Sequence, residues 1–90
     1  LEFRRVLFRS MNIGEAVKER ILELCSERDI SINKLCSMSG VTQSTVNNII
    51  SGRNRSATVS TIKKLCDGLG ITIEDFFNSE LFRNLEQEIQ

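Results

Sequence analysis

The sequence predicts one all-α domain of five short helices. Three observations carry that prediction: the 90 residues include no proline, apolar residues recur at i, i+3 and i+4 and nowhere alternate convincingly, and Ser, Thr or Gly punctuates most of the periodic stretches as a cap or stop. Ninety residues, or eighty counted from Met11, suit a single small core with no room for a separate sensor domain.

The first helix is expected from Gly14 to Arg28, where Val17, Ile21, Leu24 and Cys25 fall at i, i+4, i+7 and i+8. Ser31 can cap a second, with Ile32, Leu35 and Cys36 on its apolar side and Gly40 as the left-handed residue that ends it. Val41 anchors the next turn, Thr42 caps a third helix, Val46, Ile49 and Ile50 form its buried stripe, and Gly52 closes it. Thr58 caps a fourth helix, with Val59, Ile62, Leu65, Cys66 and Leu69 as its stripe, Lys63 and Lys64 off it, and Gly68 and Gly70 near its end. In the fifth, Thr72 and then Glu74 and Asp75 suit the helix start, Thr72 as its cap and the acids at the positive end of the dipole, and Phe76 and Phe77 supply bulk.

Beyond these lie two less regular ends. Leu1 to Ser10 opens with Leu-Glu-Phe, which resembles the translation of a cloning site; residues 1–10 are therefore expected to be a non-native leader ahead of an initiator Met11. The competing reading, a basic amphipathic arm, rests on three Arg in those ten residues. At the other end Leu81, Phe82, Leu85 and Ile89 recur at i, i+1, i+4 and i+8 in an acidic segment, residues 79–90. That pattern fits either a sixth helix on the domain's own core or a dimer contact, since exposed Phe and Leu would make a sizeable apolar patch.

Charge is strongly segregated although the chain is formally neutral. From Ser31 to Cys66 there are five cations, Lys34, Arg53, Arg55, Lys63 and Lys64, and no Asp or Glu. Met11 to Ile30 is net −2, and Asp67 to Gln90 is net −5. Clustered Lys and Arg release condensed counterions from a polyanion, so this pattern points to nucleic acid; the alternative is a solvated surface whose acids lie elsewhere.

Two helices of about two turns joined through a glycine-containing turn make a helix-turn-helix, whose second helix enters the DNA major groove. Outside the buried stripe that helix offers Gln43, Ser44, Thr45, Asn47 and Asn48, all uncharged hydrogen-bonders. Gln and Asn can pair with the adenine N6 and N7 edge, and Thr can offer a methyl to thymine. A merely solvated face would use better helix formers such as Glu and Lys. For phosphate contact the candidates are Arg53, Asn54, Arg55 and Ser56 directly after the helix, with Asn33, Lys34, Thr42 and Lys63 in the same acid-free stretch.

Leu35-Cys36, Gly40-Val41-Thr42-Gln43-Ser44-Thr45-Val46, Ile49, Gly52-Arg53, Ile62, Leu65-Cys66 and Leu69-Gly70-Ile71 together resemble the Cro/C1-type helix-turn-helix family of phage-repressor and bacterial regulators, across about Ile13 to Phe77. The resemblance implies a compact five-helix lambda-repressor-like domain over residues 11–78 that binds operator DNA, usually as a homodimer on a palindromic site. The chain departs from the family pattern at Ile32, where Gln often supports a phosphate contact, at Cys36 and Cys66, where Ala is favoured, and at Ala57, which often is Pro.

Other chemistry finds little footing. With no His, no Tyr, no glycine-rich phosphate loop and no serine beside a base, no enzyme and no cofactor are expected. The three Cys each sit on a helical apolar stripe, as small buried hydrophobes do, and without a paired Cys motif or His no metal site is expected. Free thiols imply a reducing, cytoplasmic setting, and no run of eighteen apolar residues suggests a membrane span. The expected function is a sequence-specific transcriptional regulator, a repressor, on double-stranded DNA. The rival is a helical interaction module, such as an antitoxin-like protein that binds a protein partner with weak or no DNA binding.

Overall fold

The computed structural model describes residues 12–51 and 57–85. Their helices are α1 (Ile13–Arg28), α2 (Ile32–Ser39), α3 (Gln43–Ser51), α4 (Val59–Leu69) and α5 (Ile73–Phe77), followed by a single 3-10 turn at Glu80–Phe82. The all-α fold with five helices agrees with the sequence reading. Helix α1 starts one residue earlier than expected because Asn12 caps it: the Glu15 amide donates to Asn12 Oδ1 at 2.8 Å, and the Asn12 amide donates back to Glu15 Oε1 at 3.1 Å. That reciprocal box satisfies two otherwise orphaned donors.

Two helices end alike. After α4 the Ile71 amide donates to Cys66 O at 3.0 Å around Gly70, whose φ is 73°. After α1 the Ile30 amide donates to Cys25 O at 3.0 Å around Asp29, with φ 54°. Both closures need a left-handed residue. Gly40 supplies a third such residue after α2, at φ 73°.

The core is assembled from every helix: Val17, Ile21, Leu24 and Cys25 of α1, Leu35 and Cys36 of α2, Val41 in the turn, Val46 and Ile49 of α3, Ile62, Leu65, Cys66 and Leu69 of α4, and Phe76 of α5. Ile32 and Ile50 are half-buried on its margin. Helix α2 packs most extensively on α4, and Gly68 makes that crossing close. A Cβ built on Gly68 would lie 2.8 Å from the Ser39 Cα and 2.9 Å from its amide nitrogen.

Helix α5 is only five residues long and is held at both ends. At its start the Asp75 amide donates to Thr72 Oγ1 at 3.0 Å and the Thr72 amide to Asp75 Oδ2 at 3.4 Å. At its end Arg20 reaches across from α1: Nε donates to Phe76 O at 2.7 Å and Nη2 to Asp75 O at 2.8 Å, while Nη1 pairs with Glu23 Oε1 at 2.6 Å. The Arg20 side chain is 11% exposed. A guanidinium suits this place because its fork serves two backbone carbonyls and a carboxylate at once, although Asp75 O also accepts the Asn78 amide at 3.3 Å.

Two expectations need correction, at Val59 and at the sixth helix, while Phe77 supplies bulk as expected. Val59, assigned to the α4 stripe, is 72% exposed, since it is the first residue of the helix and its side chain extends beyond the packed turns. Phe77 is 36% exposed; its ring lies edge-on to Phe76 and Phe82 at centroid distances of 5.0 and 4.9 Å, so it covers the core. In place of a sixth α-helix, the described residues carry the Glu80–Phe82 turn, which lets adjacent residues face inward: Leu81 is buried and Phe82 packs on the core margin. Ile89 and Gly52 lie outside the described residues.

All three cysteines are free and buried. Burial pushes each thiol above its ordinary range, helped at Cys25 by neighbouring Cys36 and at Cys66 by Asp67. Because folding holds these protons that the unfolded chain releases, stability should fall as pH rises beyond about 8.5, where unfolded thiols ionise. Denaturant midpoints at neutral pH and near pH 10 check the sign, and Cys66→Ala should lessen the drop. Gly68→Ala sets an Ala-over-Gly helix gain of about 1 kcal/mol against a clash with backbone that cannot swing aside, and overpacking costs about 1–3 kcal/mol. The variant should therefore melt lower; a higher melting temperature would contradict the close α2–α4 crossing.

Candidate nucleic-acid interface

Helices α2 and α3 and the turn between them are built from local signals. Ser31 caps α2, accepting the Lys34 amide at 3.1 Å. Thr42 caps α3, accepting the Thr45 amide at 3.3 Å, and its hydroxyl shares a hydrogen bond with that of Thr45 at 2.9 Å. Buried Val41 seats the turn, and Val46 and Ile49 turn the apolar side of α3 into the core.

That seating decides what faces outward. Gln43, Ser44 and Asn47 are exposed, whereas Thr45 and Asn48 are half-buried. Thr45 has its hydroxyl engaged with that of Thr42, and the backbone carbonyl of Asn48 accepts from Ser51 Oγ at 3.3 Å. The exposed face thus offers amide and hydroxyl groups in neighbouring turns, a set able to donate and accept toward base edges.

Around it, Asn33, Lys34 and Thr42 are exposed. Lys63 is exposed on α4 and paired with Asp67, Nζ to Oδ1 at 2.6 Å, and that hydrogen bond and charge hold its ammonium proton more tightly than usual. Lys64 is also exposed and has no ion-pair partner among the described residues. Arg53, Asn54, Arg55 and Ser56 lie outside the described residues.

A further electrostatic feature emerges from the helix starts. Helices α1 and α5 carry acids in their first turns, Glu15 in one and Glu74 and Asp75 in the other. Helices α2, α3 and α4 carry none, and Ser31, Thr42 and Thr58 cap them with neutral hydroxyls. Acids at a helix start neutralise the partial positive charge of its free amides; their absence leaves that charge available to an anion. The acid-free run from Ser31 to Cys66 contains all three of these helix starts, as the caps expected at Ser31, Thr42 and Thr58 place them.

No helix among the described residues is long and apolar enough to cross a membrane, and no group of three metal-ligating side chains occurs among them. Comparison with curated proteins returned no match. Among solved structures, the crystal structure of the prophage Lp1 protein 11 is similar at 38% identity and a TM-score of 0.73, covering 80% of this chain and 95% of that one. Residues 20–80 match the Cro/C1-type HTH DNA-binding domain. With two-thirds of its length in that match and the same helical fold, the chain belongs to the Cro/C1-type helix-turn-helix DNA-binding family.

Proposed function

We propose that this DNA-binding regulator is a sequence-specific repressor that sets α3 in the major groove of a palindromic operator, as a homodimer. The observation that carries the reading is the exposed, uncharged α3 face within a stretch that lacks acids from Ser31 to Cys66. Gln43, Ser44, Thr45, Asn47 and Asn48 read base edges, Gln43 and Asn47 foremost because both side chains stand clear of the core. Asn33, Lys34, Thr42, Arg53, Asn54, Arg55, Ser56 and Lys63 fix the register on phosphates. Ile32 is half-buried against the core margin, so α2 opens without the polar side chain that the family often places there. Two α3 helices would meet half-sites about one helical turn apart. The regulator acts in the cytoplasm and needs neither catalysis nor a cofactor. The acidic segment 79–90 contributes to the dimer contact.

Selection of the purified chain against random duplexes at near-physiological salt tests this directly. An enriched inverted repeat with half-sites about ten base pairs apart is expected; salt-sensitive retention without enrichment would favour a protein-partner module. On the enriched site Gln43→Ala or Asn47→Ala should cost about 1–3 kcal/mol and relax preference at particular bases. Arg53→Ala should weaken all duplexes alike and reduce the salt slope by about one. An unchanged ranking of sites in Gln43→Ala would overturn the register of α3 in the groove.

A further inference from the structure

We propose that Asp67 acts as an affinity brake on the DNA-binding surface, competing with phosphate for the Lys63 ammonium, and that this competition tunes how tightly the chain holds any duplex. The inference rests on the DNA-binding reading above. Asp67 is the first acid after Asp29, and it ends the acid-free stretch. It does not stand apart from the cations there: its Oδ1 lies 2.6 Å from Lys63 Nζ, four residues back on α4. Four residues correspond to about 6 Å along a helix axis. The ammonium is therefore drawn toward the C-terminal half of α4, away from the helix start that no acid neutralises.

Helix stability does not account for this placement. An acid in the last turns of a helix meets the negative end of the dipole, and the Lys-to-acid order along the chain is the weaker orientation of an i, i+4 pair. Both side chains are more than half exposed, at 56% and 61%, so the pair is worth little to the fold and can open when a phosphate competes. Lys64, next in sequence and without an ion-pair partner among the described residues, has no comparable restraint. Among the described residues, Lys63 thus carries its own competing anion and Lys64 does not.

The test measures duplex affinity against salt for the whole chain and for Asp67→Asn, Asp67→Glu, Lys63→Ala and the double variant Lys63→Ala with Asp67→Asn, on the selected site and on a random duplex. Asp67→Asn should bind both duplexes roughly two- to fivefold more tightly at low salt, the worth of an exposed pair that the parent must open, with the salt slope little changed because Lys63 reaches phosphate in both. Asp67→Glu, which can re-form the pair, should behave like the parent. In the Lys63→Ala background the gain should vanish. An equal gain there would mean that Asp67 only repels phosphate at a distance, and no gain in either background would remove its role; either result overturns the brake. If neither the parent nor Asp67→Asn retains any duplex, the DNA-binding reading itself fails and this inference falls with it.

Discussion

The contact on which the rest of the molecule depends is the crossing of α2 over α4, where the backbone of Ser39 rests against Gly68. Neither α2, of eight residues, nor α3, of nine, is long enough to persist alone in water. Their helicity is maintained by burial, and α2 contributes only Leu35 and Cys36 as fully buried side chains. With so few large groups available, close backbone approach supplies the missing dispersion contact. The position of α3 follows from it: α2 is fixed on α4, Val41 is buried at the turn, and Val46 and Ile49 complete the core from the far side.

Capping chemistry divides along the same line. The helices outside the candidate interface, α1 and α5, begin with boxes that include a carboxylate, which serves both the free amides and the dipole. The three helices of the acid-free stretch use a neutral hydroxyl alone. A carboxylate there would stabilise each helix by a few tenths of a kcal/mol to about 1 kcal/mol. Its absence from all three gives up some stability in favour of a positive surface, a trade that makes sense where phosphate is to be met.

What was legible in the sequence is what acts over three or four residues. Ser31, Thr58 and Thr72 as caps, Gly40 and Gly70 as left-handed stops, and the stripes of α1 to α4 depend on local chemistry, and each is found in the structure apart from Val59. Asn12 with Glu15 follows the same local capping rule, three residues apart in the sequence. The Arg20 clamp joins residues 55 and 56 positions apart, and nothing around Arg20 distinguishes it from a solvated helix cation. Gly68 looked like a helix-ending residue, because its packing against Ser39 is a property of two distant segments. Of the candidate site, exposure divides Gln43, Ser44 and Asn47 from Thr45 and Asn48, a division that turns on the tilt of α3 against the core.

The Arg20 clamp also bears on how the molecule comes apart. The terminal carbonyls of α5 are satisfied by a side chain of α1, and the Glu80–Phe82 turn lies against α1 as well. Melting α5 alone would strand a largely buried guanidinium, which couples the opening of α5 to that of α1. Helix α3, short and with only two fully buried residues, has no such cross-chain tether among the described residues. The same architecture therefore keeps its rigid half at the two ends of the described chain and leaves the face-presenting helix as the part able to adjust to what it meets.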